Sequence, residues 1–194
     1  MRRRTVFIYG NISSGGGGGG GELQQTVQVN MGDGTWNTPQ VSGWFRYCSN
    51  EGTSVSNVTN SDGTDTGWSI ARPAIGSTSE GPTTTTVGYP ADVTHYENTS
   101  STSPANYVVS GLNDSYTYTF DFWGYTSRSW ENDLGTSVWT IGGDSVSILH
   151  KNYDGLAVTI SSVSPSSGSI TIAVTIATSA SQWFFASMII KEYN

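Results

Sequence analysis

Apolar and polar residues alternate with a period of two along much of this chain. Leu23 to Met31 runs Leu-Gln-Gln-Thr-Val-Gln-Val-Asn-Met and Tyr116 to Phe122 runs Tyr-Thr-Tyr-Thr-Phe-Asp-Phe, the spacing that turns one side of a strand to a core and the other to solvent. Ile170 to Ala177 repeats the pattern with β-branched residues, and Trp183 to Tyr193 is apolar enough to form one buried closing strand. Further strands are expected at Trp44 to Cys48, Asn106 to Val109, Val138 to Ile141, Ser145 to Leu149 and Ala157 to Val163. Turn formers separate them at Gly32-Asp33-Gly34, Ser61-Asp62-Gly63, Gly142-Gly143-Asp144, Asn152 to Gly155 and Ser164 to Gly168. No segment has helical periodicity. Many short strands with regular turns predict an all-β fold, a two-sheet sandwich or a barrel, and no internal repeat points to a propeller or solenoid.

Two stretches break the pattern. Ser49 to Ala105 holds Pro73, Pro82, Pro90 and Pro104, a run of threonines from Thr83 to Thr86 and little alternation. It is expected to be loop-rich, and long loops in a compact domain usually bind something or form an interface. The second stretch is the start. Met1-Arg2-Arg3-Arg4-Thr5-Val6-Phe7-Ile8-Tyr9 is a basic, partly apolar peptide, and a tract of Gly15, Gly16, Gly17, Gly18, Gly19, Gly20 and Gly21 joins it to the rest. The expected organisation is an anchoring arm and tether at 1–21 and a β-sandwich at 22–194.

Charge sharpens that division. Charged residues form 12% of the chain, against about 25% in ordinary soluble proteins. Three of the eight bases, Arg2, Arg3 and Arg4, lie in the arm, whereas all fifteen acids lie beyond Gly21. With five bases against fifteen acids the body carries a formal −10 and the arm +3. A body of that sign is unsuited to nucleic acid or an anionic membrane surface, and the arm favours an acidic partner. The apolar run Val6-Phe7-Ile8-Tyr9 is too short for a secretory signal, and no stretch approaches the ~20 residues of a membrane helix. Neither export by that route nor membrane insertion is expected.

The β-strand pattern also carries a resemblance. Val27-Gln28-Val29-Asn30-Met31-Gly32 followed by Thr35-Trp36-Asn37, then Tyr107-Val108-Val109-Ser110-Gly111-Leu112 with Tyr116-Thr117-Tyr118-Thr119-Phe120, resembles the jelly-roll domains similar to galactose-binding modules that are frequent in Bacteroidetes. Ser162-Val163-Ser164-Pro165, Gly168, Ile170-Thr171-Ile172 and Met188 to Tyr193 fit the last strands of such domains. The likeness covers residues 23 to 194 and leaves the arm outside. It implies a two-sheet jelly-roll β-sandwich preceded by an extended N-terminal arm. Some members bind glycans through rim loops and others only hold assemblies together, so it implies a fold more than a ligand.

Candidate chemistry is sparse. An exposed indole can stack on a sugar ring, and Trp123, Tyr125, Arg128 and Trp130 form the densest such group. Most of the seven tryptophans are nonetheless expected to fill a core short of leucine. Asp121, Glu131 and Asp133 flank that loop, but glycoside hydrolysis needs two convergent carboxylates, and a turn-rich setting makes solvated or capping acids the default. Cys48 is the single cysteine, which excludes an intrachain disulfide and a thiolate cluster. It reads as a small buried hydrophobe, with His95 and His150 its only imidazole candidates for a base. Asp62-Gly63-Thr64-Asp65 lacks the ligand spacing of a calcium loop and reads as a turn. The glycine tract lacks the lysine and preceding strand of a phosphate loop. Sequons at Asn11, Asn57, Asn98 and Asn113 matter only on a eukaryotic secretory route. No catalytic residue, metal or cofactor is expected.

An acidic, hydroxyl-rich body that looks built for the outside, without an export signal, fits a virion protein of a bacterial virus. The expected function is that of a non-enzymatic structural subunit: a head fibre, decoration or tail-associated protein. In it Arg2, Arg3, Arg4, Val6, Phe7, Ile8 and Tyr9 dock on other virion proteins. The glycines give a tether of ~15 Å as a free coil, or pack where residues without Cβ permit close approach. An ordered anchor is the expected form. A homo-oligomer is expected, a trimer among the orders considered, with aromatic sandwich faces as contacts. The alternative is an extracellular carbohydrate-binding module that recognises a surface glycan through aromatic rim loops.

Overall fold

The computed structural model describes residues 21–31, 41–47, 52–74, 77–80, 96–123, 136–149, 157–177 and 183–194. Arm residues 1–20 and segments 32–40, 48–51, 75–76, 81–95, 124–135, 150–156 and 178–182 lie outside them.

All regular structure among the described residues is strand. β1 (Leu23–Asn30), β2 (Phe45–Arg46), β8 (Thr117–Trp123), β11 (Val158–Val163) and β14 (Ser187–Tyr193) form a five-stranded sheet in the order β11-β8-β14-β1-β2. β3 (Ser54–Thr59), β4 (Asp65–Ala71), β7 (Ala105–Ser110), β9 (Thr136–Ile141), β10 (Asp144–Leu149) and β12 (Ser169–Ala177) form a six-stranded sheet in the order β10-β9-β12-β7-β4-β3. β5 (Ser77–Glu80), β6 (Tyr96–Ser100) and β13 (Trp183–Phe185) make a third, small sheet.

The two large sheets face each other as a β-sandwich. Within it β1-β14-β8-β11 opposes β7-β12-β9-β10. Numbered along the chain, these eight strands run 1-8-3-6 against 2-7-4-5, which is the jelly-roll order of two interlocked Greek keys. β2 to β6 are an insertion between the first and second of the eight.

Alternation explains the core. Val27 and Val29 of β1, Tyr118, Phe120 and Phe122 of β8, and Met188 and Ile190 of β14 face Tyr107, Val109, Trp139, Ile141, Ile170, Ile172 and Val174 of the opposite sheet, all at most 5% exposed. Aromatic rings bridge the layers. Phe122 stacks on Trp139 with centroids 4.8 Å apart, and Phe185 meets Trp139 edge-on at 4.3 Å and Tyr107 at 4.9 Å, arrangements that add to simple burial.

Two expectations need correction. Among its described residues Ser49 to Ala105 is mostly strand and not loop, since it contributes β3, β4, β5 and β6. β3 escapes a period-two reading because it bulges at Asn57, whose φ is +57°, so that Val55 and Val58 fall out of phase. Trp183 to Tyr193 is also two strands. β13 pairs with β6 in the small sheet, and after Ala186 the chain enters the five-stranded sheet as β14. The strands expected from 23, 106, 116, 138, 145, 157 and 170 onward are present, with ends shifted by a residue or two. Trp44 to Cys48 contributes the short β2.

Candidate functional site

The strand registers separate the sandwich into two ends. Leu23 pairs with Tyr193 and Tyr193 with Thr117, so the point where the arm joins the body lies beside the close of β14 and the start of β8. Connections at this arm end are short: Asn60 to Thr64, Gly111 to Tyr116, Gly142-Gly143 and Ser164 to Gly168. At the other end Asn30 pairs with Ser187 and Ser187 with Trp123, while Ala177 pairs with Thr136. Strand ends joined by 32–40, 124–135, 150–156 and 178–182 all lie at this far rim.

The arm end is tied down by named contacts. Gly21, the last residue of the glycine tract, packs so closely on Asn194 that a Cβ there would run into the Asn194 carbonyl oxygen. The Glu22 N–H donates to Asn194 Oδ1 at 3.0 Å, and the Asn194 N–H donates to the Glu22 carbonyl at 3.2 Å. One row further in, Gln25, Glu192 and Tyr118 stand opposite one another on β1, β14 and β8. Gln25 Nε2 donates to Glu192 Oε2 at 2.7 Å, and the Tyr118 hydroxyl donates to Glu192 Oε1 at 2.6 Å. The same hydroxyl oxygen accepts from the Asn113 N–H at 2.9 Å. Glu192 is 6% exposed and Tyr118 fully buried, and a buried carboxylate is tolerable only when its oxygens are satisfied in this way. Burial, reinforced by the hydrogen bond to Glu192, pushes the Tyr118 phenol far above its ordinary value near 10.

This clamp was not foreseen from the sequence, yet a signal existed. Met188, Ile190 and Glu192 share the inward register of β14, and an acid at a core-facing position demands partners. The outward face of the same strands carries another pair, Lys191 Nζ to Asp121 Oδ2 at 2.8 Å, with Thr159 Oγ1 donating to Asp121 Oδ1 at 2.6 Å. Asp121 is therefore engaged in an ion pair. Glu131 and Asp133, its proposed companions, lie outside the described residues, as do Cys48, His95 and His150.

The glycan-contact group is only partly described. Trp123 is 1% exposed, packed with Trp44 and Ala186 against the outer side of the five-stranded sheet, with Val41, Ala157 and Ile189 around them. In that position its ring offers no face to a sugar, because the 41–44 segment covers it. Tyr125, Arg128 and Trp130 lie outside the described residues, as does Trp36. Trp44, Trp68, Trp139 and Trp183 are at most 5% exposed, so the five described tryptophans fill interiors. Trp183 Nε1 donates to the Thr102 carbonyl at 2.8 Å.

Asn60 Oδ1 accepts from the Asp62 and Thr64 N–H groups, each at 3.0 Å, and the Ser61 N–H donates to the Thr26 carbonyl. The Asp62 to Asp65 stretch is thus a capped hairpin turn that also ties β1 to the opposite sheet. Among the described residues no group of three or more His, Cys, Asp or Glu is placed to hold a metal ion. Arg72 is 7% exposed, its Nε donating to the Gly52 carbonyl at 2.7 Å and its guanidinium lying 4.8 Å from the Tyr47 ring centre. Arg72 thus contacts both Tyr47 and Gly52, the described residues on either side of 48–51.

The arm residues Arg2, Arg3, Arg4, Val6, Phe7, Ile8 and Tyr9, and Gly15 to Gly20, lie outside the described residues. What is described is their point of attachment. Comparison with protein-family models, with curated proteins and with solved structures finds no match.

Proposed function

We propose that this chain is a non-enzymatic structural subunit of a bacteriophage virion, held by its N-terminal arm and displaying a jelly-roll body. Arg2, Arg3 and Arg4 pair with acidic groups of a neighbouring virion protein, while Val6 to Tyr9 add a strand to it or fill a groove. The observation that carries this reading is the way the arm enters the body. β1 pairs with β14 from Leu23 to Asn30, is joined on its other side by the Ser61 N–H at Thr26 and by β2 at Val29 and Asn30, and the Gln25–Glu192–Tyr118 row locks the arm end of its ladder. A pull on the arm is spread along the β1–β14 ladder and not taken by a frayed end. Leu23, half exposed, is the one large apolar side chain exposed among the described residues, and it stands at this same end. The jelly-roll strand order supports kinship with galactose-binding-like domains as part of the proposal.

The far rim gives the alternative its support. Jelly rolls that bind glycans do so through rim loops, and three long connections, between β1 and β2, β8 and β9, and β10 and β11, join strand ends there. Trp130 is the ring to test, by glycan array with Trp130→Ala as control. Binding lost with that change favours a carbohydrate-binding module. For the anchoring role, residues 1–21 fused to an unrelated fluorescent protein should carry it into purified particles. A fusion that stays free, beside a full-length chain that incorporates, contradicts the proposal.

A further inference from the structure

We propose that Ser187 marks an internal binding site for one water molecule, sealed between the outer face of the five-stranded sheet and the 41–44 segment. Asn30 of β1, Ser187 of β14 and Trp123 of β8 stand directly opposite one another in one row of that sheet. Their chain neighbours Val29, Met188 and Phe122 belong to the core, so the row itself faces outward. An outward row would ordinarily be wet, yet these three residues are 2%, 0% and 1% exposed. The cover is the apolar cluster of Trp44 and Trp123 with Ala186, edged by Val41, Ala157 and Ile189.

Ser187 Oγ is buried there and makes no hydrogen bond within the chain. A hydroxyl in that state carries its full desolvation cost with nothing in return, and native interiors rarely keep one. The main chain around it is already engaged. The Asn30 carbonyl accepts from the Tyr47 N–H at 2.8 Å, the Ala186 carbonyl from the Met31 N–H at 2.8 Å, and the Trp123 carbonyl from the Ala186 N–H at 3.0 Å. The polar side chains beside Ser187 in the row are the Asn30 amide on one strand and the Trp123 indole on the other. Side chains directly opposite on neighbouring strands have Cβ atoms about 4.5–5.5 Å apart, and Ser187 Oγ bonds directly to neither. One water spans such a gap. It exchanges a hydrogen bond with the Ser187 hydroxyl and takes its further bonds from the amide or indole beside it, within the two to four partners that a buried water makes.

The surroundings fix the kind of ligand. Asn, Ser and Trp are neutral, and a lid of Trp44 and Val41 supplies no counter-charge, so an ion would be buried unpaired. Trp139 Nε1 offers a contrast, being likewise buried without a hydrogen bond. The rings packed against it, Phe122 at 4.8 Å and Phe185 at 4.3 Å, present only carbon, and a water needs polar partners. The row at Ser187 has them. Held there, the water ties β1, β14 and β8 together at the far rim, where the β1–β14 ladder ends at Asn30 and Ser187.

The test is a crystal structure of the full chain at a resolution that shows internal waters, together with melting curves of the parent and of Ser187→Ala. A water about 2.8 Å from Ser187 Oγ is expected. The melting temperature of Ser187→Ala should fall by about 2–4 °C, because the bridge loses one of its ends. A hydroxyl that is simply unsatisfied gives the opposite sign, since alanine then removes a desolvated group. An unchanged or raised melting temperature, density without a water at Ser187, or a Ser187 hydroxyl bonded directly to a protein atom overturns the proposal.

Discussion

At the arm end the described connections are short and hydrogen-bonded, and the strands are tied by a polar row; at the far rim long segments join the strands and the core is closed by aromatic packing. The arm-end turns hold themselves and each other: Asn60 caps one hairpin, and Asp114 Oδ1 in the 111–116 connection accepts from the Gly168 N–H of the 164–168 connection. The rim end depends on rings from distant parts of the chain, with Phe185 of the small sheet set against Tyr107, Phe122 and Trp139. One end is held by hydrogen bonds between strands and turns, the other by aromatic rings that close the core.

Breaking the rim end should have the largest effect. Phe185→Ala removes a fully buried ring that touches both sheets, and a loss of about 3–5 kcal/mol in unfolding free energy is expected by denaturant titration. At the arm end Glu192→Ala strands the Tyr118 hydroxyl and the Gln25 amide in a buried site, for a loss of about 2 kcal/mol. Tyr118→Phe should cost about 1 kcal/mol, since the Asn113 N–H loses its acceptor while Glu192 keeps Gln25.

The same tyrosine gives a pH signature. Its folded-state value is raised above the unfolded value near 10, so its contribution is fully present below about pH 10 and is lost as pH rises beyond that. Melting temperature should therefore fall in alkali more steeply in the parent chain than in Tyr118→Phe. Equal slopes would show that the phenol is not held by burial and Glu192. The smallest effect is expected from Gly21→Ala, under about 0.5 kcal/mol, because the collision with Asn194 can be relieved by fraying the last pair of the ladder. Amide exchange at Leu23 and Asn194 should nevertheless quicken.

The arm end was also the more legible from sequence. Leu23 to Met31 and Tyr116 to Phe122 alternate cleanly because each has one face on the core and one in water. β4 hides a readable alternation, Thr66, Trp68 and Ile70, within a stretch whose prolines and threonines suggested loop. β5 and β6, Ser-Thr-Ser-Glu and Tyr-Glu-Asn-Thr-Ser, have no apolar alternation to read. The break at Ala186 was invisible for the opposite reason, since the residues on both sides of it are apolar and buried. Trp123 illustrates the limit on sites. Its place at a strand end suggested exposure, but its burial depends on Trp44 and Val41, nearly 80 positions earlier, and local pattern carries no such long-range term. The Glu192 clamp could have been inferred from register once β14 was placed.

The central claim is that the arm attaches and the body stands on its own. It is tested most directly by deleting residues 1–20, which leaves Gly21 on Asn194, and measuring both the melting temperature of the purified chain and its presence in particles. A melting temperature within about 2 °C of the parent, little more than a few tenths of a kcal/mol, together with loss of incorporation, is the predicted result. Incorporation at the level of the full chain would contradict it.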